Sequence, residues 1–290
     1  MIDFVENPLV ETDWLAEHIS DENLRIVDAR WRGDGSARSR YKAGHIPGAV
    51  HLDWQFDLTS TQENFRFMLL PPDEFAEQMA AAGIGAETKV LAYAELDYSG
   101  AARLWWALRY YGHQQVAVLN GGITKWIAEK RPLEKKTPSP ARTTFFPKPQ
   151  AQLLAGLDEV KDSVSRRDGS VSFVDTRPIE QFQGRAVWTP QGSLFLPDGQ
   201  DWVDVDGRAM RAGHLPGAVH LNSTDNFDQS DWTLREPGDI HRDALAAGIK
   251  PDQRVITYCG CGMSASLGLF ALHLAGFENI ALFDGSWEQW

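Results

Sequence analysis

Thiols are scarce in this chain: 290 residues contain two cysteines, Cys259 and Cys261, standing two positions apart. So few cysteines exclude a disulfide framework and point to a reducing compartment, with the cytoplasm as the expected address. No histidine stands at ligand spacing beside them, which argues against a metal site. Positive charge is also short. Lys and Arg number 28 against 40 Asp and Glu, a formal net charge of −12 that disfavours nucleic acid or an anionic membrane as partner. Long apolar runs are missing as well: nothing approaches a membrane span, and Met1-Ile2-Asp3-Phe4-Val5-Glu6-Asn7-Pro8 has neither a basic region nor an apolar core. An anionic substrate would need positive charge gathered locally.

What the chain does have, 43% hydrophobic and 11% aromatic residues, is enough to bury two domain cores. Both cysteines fall in the most informative stretch. The β-branched run Val255 to Tyr258 predicts a strand; Gly260 and Gly262 bracket Cys261; and a helical pattern runs from Ser264 through Leu267, Phe270 and Leu274 to a stop at Gly276. This predicts strand, tight loop and helix, with Ser264 as N-cap. Glycines let several N–H groups turn inward, and a helix N-terminus favours an anion, so Cys259 at the mouth is expected as a thiolate with a pKa in the range of about 3.5–7.5. Cys259 is the predicted nucleophile, and Gly260, Cys261, Gly262, Met263 and Ser264 form the predicted cradle. Two residues on, Cys261 is placed to close a strained disulfide with Cys259.

The sequence is one unit written twice. Ile26-Val27-Asp28-Ala29-Arg30 returns as Phe173-Val174-Asp175-Thr176-Arg177, and Ala43-Gly44-His45-Ile46-Pro47-Gly48-Ala49-Val50-His51-Leu52 as Ala212-Gly213-His214-Leu215-Pro216-Gly217-Ala218-Val219-His220-Leu221. Leu119-Asn120-Gly121-Gly122 pairs with Phe283-Asp284-Gly285-Ser286. Apolar runs (Arg25 to Val27, Ala49 to Leu52, Lys89 to Tyr93, Val116 to Leu119) alternate with helical patterns such as Pro72 to Ala82 and Ala101 to Tyr111. Such alternation predicts an α/β fold, each half a parallel sheet with helices on both faces. Prolines 132, 138, 140, 147 and 149 resist regular structure, giving an inert half at 1–135, a linker at 136–150 and a catalytic half at 151–290. The halves differ in two places. Ala94 stands where the second half has Cys259, and the span from Asp175 to Gly213 is 22 residues longer than that from Asp28 to Gly44. An insertion beside a reactive loop is read as a lid or specificity loop.

Two copies of Asp-x-Arg followed by Gly-His-(Ile/Leu)-Pro-Gly-Ala, a strand ending in Cys in the second copy alone, and the closing Asp284-Gly285-Ser286-Trp287-Glu288-Gln289-Trp290 resemble the rhodanese superfamily. More narrowly, the chain resembles the two-domain thiosulfate and 3-mercaptopyruvate sulfurtransferases. The resemblance implies two tandem rhodanese-like domains with a site in the cleft between them. It also implies a Cys259 persulfide that passes sulfane sulfur from 3-mercaptopyruvate or thiosulfate to cyanide or a thiol acceptor such as thioredoxin, without metal or organic cofactor. On matching positions, Asp53, Tyr98 and Arg103 are implied cleft residues. Departures are visible too: Gln181 and Phe67 stand where the family places Arg and His.

Arg177 repeats as Arg30, which weighs a structural role against donor contact. Arg185, Arg208 and Arg211 have no first-half counterpart, and any of them is a candidate to replace the charge lost at Gln181. His45 and His214 recur in both halves and are read as structural, Trp105 and Trp106 as packing, and Trp31 and Trp202 as cleft residues. A phosphatase of this fold would need Arg six positions after Cys259, where Ala265 stands. The remaining alternative is a non-enzymatic sulfur-relay or protein-binding module.

Overall fold

The computed structural model describes residues 2–290 apart from positions 63, 97, 167, 190, 191, 196–201 and 204–208, with backbone alone at 202, 203, 209 and 210. It packs into two compact units. The first holds residues 2–62, 69–153 and 227–235; the second holds 64–68, 154–226 and 236–290. Each unit thus includes a short segment from the other half of the sequence.

In the first unit the apolar runs become β1 (Leu9–Val10), β2 (Leu24–Asp28), β3 (Val50–His51), β4 (Lys89–Tyr93) and β5 (Val116–Leu119), in the order β1-β5-β4-β2-β3 with every pair parallel. Its helices are α1 (Thr12–His18), α2 (Ala37–Ala43), α3 (Pro72–Ala81), α4 (Ser99–Tyr110) and α5 (Gly122–Ala128). One sheet face packs Leu24, Ile26, Leu91, Tyr93, Ala117 and Leu119 with Leu15 of α1 and Ile123 and Trp126 of α5. The alternate residues Val90, Ala92, Val116 and Val118 are buried as well, and α4 lies against β4 and β5. Burial on both faces is why these strands read as continuous apolar runs without a polar alternation. Trp105 and Trp106 are buried in α4, as expected of packing residues.

The second unit repeats the plan. It contains β6 (Leu154–Ala155) and β7 (Val171–Asp175), then the inserted strands β8 (Ala186–Thr189), β9 (Gly192–Phe195), β10 (Trp202–Val203) and β11 (Ala209–Met210), and finally β12 (Val219–His220), β13 (Arg254–Tyr258) and β14 (Ile280–Phe283). The helices are α6 (Leu157–Arg166), α7 (Ile179–Phe182), α8 (Pro237–Ala246), α9 (Met263–Leu274) and α10 (Ser286–Gln289). Its parallel sheet runs β12-β7-β13-β14-β6, the first sheet's order read from the other end. The insertion forms two antiparallel pairs, β8 with β9 and β10 with β11.

The Asp-x-Arg motif explains why the copies share a frame. Arg30 holds Asp28 at 2.6 Å and the Gly44 carbonyl at 2.9 Å; Arg177 holds Asp175 at 2.6 Å and the Gly213 carbonyl at 2.7 Å. Each guanidinium thereby ties a strand end to the Gly-His-x-Pro-Gly turn. The histidines brace those turns: His45 stacks on Tyr41 and His214 on Phe182, each with Nδ1 on a nearby carbonyl. The proline-rich stretch lacks regular structure, yet it is held along the first unit. Thr143 N–H donates to Ala80 O, Lys148 N–H to Tyr111 O, and Phe145 packs edge-on to Phe75.

Helix α4 approaches the end of β2 so closely that a Cβ at Gly100 would lie 1.9 Å from the Ala29 carbonyl oxygen. Backbone cannot yield as a flexible side chain can, so Gly100→Ala is expected to destabilise the protein by about 3 kcal/mol, the upper end of ordinary overpacking. A lowered urea midpoint with an unchanged denaturant slope is the readout.

Candidate active site

Strand β13 ends at Tyr258 and α9 begins at Met263, which leaves Cys259, Gly260, Cys261 and Gly262 as the loop. Gly262 has φ 84°, the left-handed region that glycine enters without a Cβ penalty, and it directly precedes the helix. Ser264 is therefore not the N-cap: the glycine turn starts the helix one residue before it. Its hydroxyl lies within the first turn, 3.4 Å from Thr176 Oγ1. Gly260 is required for a different reason. A Cβ there would sit 2.5 Å from Cγ of Trp188, which β8 lays against the loop.

Cys259 and Cys261 are buried free thiols, each 2% exposed. The Gly262 N–H points at Cys259 Sγ from 3.1 Å. Burial pushes the Cys259 thiol up, but hydrogen bonds from the Cys261 thiol, the Ser264 hydroxyl and the backbone amides of Ala265 and Cys261 outweigh it, bringing the pKa down from 9.0 to about 5. Stabilised as an anion yet shielded from water, this sulfur has the character of an activated nucleophile.

Beneath the loop lies α10. Ser286 accepts the Cys259 N–H at 3.1 Å and donates to Phe283 O at 2.9 Å; Trp287 N–H donates to Cys259 O at 2.9 Å, and Glu288 N–H to Gly260 O at 3.0 Å. The first copy has the same scaffold with glycine in place of serine: Ile123 N–H donates to Ala94 O at 3.0 Å, and Gly122 takes φ 52°. Ser286 holds φ 50° despite its side chain, a conformation that costs a non-glycine residue on the order of 1–3 kcal/mol. At this position the strain is coupled to a hydroxyl that fixes the nucleophile's own amide.

The family model of the rhodanese-like domain matches residues 11–129 and again 157–290. This chain belongs to the rhodanese family. It is similar to the sulfur carrier protein TtuD of Thermus thermophilus, 30% identical over 97% of this chain and 93% of that protein. The thiosulfate sulfurtransferase of Gallus gallus is 29% identical over 97% of this chain and 92% of its own length. Among solved structures, that of the 3-mercaptopyruvate sulfotransferase SseA from Escherichia coli matches with TM-score 0.82 and 27% identity, covering 97% of this chain and 98% of that one. Both rhodanese-like domains expected from the repeat are thus present.

The second rhodanese unit contains Cys259, its loop, Arg177, Arg185 and Arg211, but gives the arginines different settings. Arg177 is 2% exposed, locked on Asp175, with its guanidinium 4.8 Å from the Trp287 ring. Arg185 is exposed, and Arg211 is exposed with a bond to Trp290 O. Arg208 lies outside the described residues, as does the Trp202 side chain. Gln181 is buried, its amide nitrogen donating to Ser193 Oγ at 2.8 Å. Asp53, Tyr98 and Arg103 belong to the first unit and are buried there: the Asp53 N–H donates to Asp57, the Tyr98 hydroxyl to Trp232 O at 2.7 Å, and Arg103 lies 4.8 Å from the Trp54 ring. Sequence reading missed Trp188 and Ser286. The substitution of Ser286 for Gly122 in the repeat was the one available signal.

Alkylation of Cys259 by iodoacetamide tests the electrostatics. The thiolate persists above its pKa and is lost as pH falls through it, so the rate should rise to a plateau with a midpoint near pH 5, where an ordinary thiol titrates near 9. Ser264→Ala removes one donor to the sulfur and is expected to move that midpoint upward.

Proposed function

We propose that this rhodanese is a sulfurtransferase whose Cys259 carries sulfane sulfur as a persulfide. The observation that carries the reading is the depressed Cys259 thiol with the Gly262 amide directed at its sulfur. The thiolate attacks the outer sulfur of thiosulfate, the S–S bond breaks and sulfite leaves. With 3-mercaptopyruvate the C–S bond breaks, and the thiol proton ends on the methyl carbon of pyruvate. In both cases Cys259 is left with a persulfide anion beside the amides that held the thiolate. A thiol acceptor such as thioredoxin, or cyanide, attacks the terminal sulfur and releases Cys259 as the thiolate, a good leaving group at its low pKa.

The neutral, glycine-flanked loop favours 3-mercaptopyruvate over thiosulfate, and a solved relative acts on that donor. The relative named a sulfur carrier protein supports a second reading, in which the acceptor is another protein and the chain works as a relay. Both readings share the Cys259 persulfide. Two reduced thiols in one loop suit a reducing compartment such as the cytoplasm.

Cys259→Ser is expected to abolish turnover and the 32-Da persulfide adduct seen by mass spectrometry, since a hydroxyl does not ionise at neutral pH, whereas Cys261→Ser keeps measurable activity. Side-by-side kcat/KM values are expected to favour 3-mercaptopyruvate. A tenfold preference for thiosulfate, about 1.4 kcal/mol, would reverse the donor assignment.

A further inference from the structure

The donors of this reaction are anions, and so is the thiolate they must meet. A protein of net charge −12 therefore needs a cation at the loop. Among the described residues of this unit to which the sequence points, none provides it: Gln181 is neutral, Arg177 is sealed on Asp175, Arg185 is exposed, and Arg211 is exposed with its Nη1 on the Trp290 carbonyl. Arg66, from the early segment that packs into the second unit, is differently placed. Its Nη1 reaches Glu288 Oε1 at 3.2 Å, and its backbone N–H donates to Glu288 Oε2 at 3.2 Å. Glu288 in turn bonds through its own N–H to Gly260 O, next to the nucleophile. The Arg66 guanidinium also lies 6.0 Å from the Trp188 ring, the same ring that occupies the space beside Gly260, and Phe67 meets that ring edge-on at 6.3 Å. Two independent contacts, one ionic and one aromatic, thus tie this cation to Glu288 and Trp188, the two residues that meet Gly260.

We propose, on the sulfurtransferase reading above, that Arg66 is the specificity-determining residue that recognises the anionic group of the sulfur donor. A guanidinium presents five N–H donors in a planar fork, enough to engage a protein carboxylate and a donor carboxylate or sulfonate together. Trp188 keeps the fork's plane from swinging, and Glu288 sets its distance from the loop. Glu288 also competes with the incoming anion, so the two partners have opposite effects on donor binding. That opposition separates recognition from a plain structural clasp, in which losing either partner has the same result.

The test uses the full-length protein with 3-mercaptopyruvate and thiosulfate as donors. Arg66→Gln is expected to raise KM at least tenfold with kcat little changed, and to flatten the dependence of kcat/KM on ionic strength. Arg66→Lys, which keeps the charge without the fork, recovers part of the loss, and Glu288→Gln lowers KM. The iodoacetamide pH profile of Cys259 stays at its wild-type midpoint throughout. The proposal is overturned if Arg66→Gln leaves KM unchanged while the persulfide still forms, or if Arg66→Gln and Glu288→Gln lose kcat alike with a displaced Cys259 profile. Absence of any persulfide in the wild-type protein with either donor would instead sink the sulfurtransferase reading.

Discussion

In each half a guanidinium is sealed at the end of a central strand, on the carboxylate two residues before it. Arg177 and Asp175 are 2% and 0% exposed, and the pair also holds the Gly213 carbonyl. A buried pair of this kind is weak evidence of net stabilisation, but removing one partner strands a charge and costs about 3–5 kcal/mol. Its larger role is geometric. The Arg177 guanidinium lies on Trp287, and the Trp287 amide holds the carbonyl of Cys259. The strand end, the Gly-His-Leu-Pro-Gly turn, α10 and the reactive loop are therefore fixed by one chain of contacts.

The same frame serves both copies, which differ at the loop by a few atoms. Ala94 offers a methyl group where Cys259 offers sulfur, and Gly122 leaves space where Ser286 supplies a hydroxyl. Both residues of the latter pair adopt the left-handed backbone, φ 52° and 50°. The turn was thus already shaped for glycine, and serine occupies it at a conformational cost. The strain tolerated beside Cys259 in one copy is relieved by glycine beside Ala94 in the other.

The insertion is the other divergence. Its first pair of strands carries Trp188 onto Gly260, which makes that glycine sterically obligatory and gives Arg66 a ring to lie against. Gly262 is favoured for another reason, its left-handed φ of 84°. Two glycines in one short motif thus answer to different constraints, one from tertiary packing and one from the backbone.

Much of this was legible in the chain itself. Periodicity placed β4 and β5 to the residue, since strands buried on both faces leave an unbroken apolar run, and internal repetition disclosed two copies of one fold. The strand–loop–helix setting of Cys259 followed from two cysteines among glycines at a strand end. Local sequence did not locate the helix start, because Ser264 is a good cap by type but Gly262 already made the turn. The resemblance pointed to the missing arginine at Gln181, whereas the cation held by Glu288 and Trp188 is Arg66, 193 positions before Cys259 in the numbering. The amino-acid sequence by itself determined what recurs at short range: strand and helix periods, the glycine turn, and the place of the candidate nucleophile Cys259. Only the tertiary structure decided which distant side chains pack about the Cys259 loop, because the positions of Trp188 and Ser286, and of Arg66 behind them on Trp188 and Glu288, depend on packing between segments far apart in the chain, and such contacts leave no period to read.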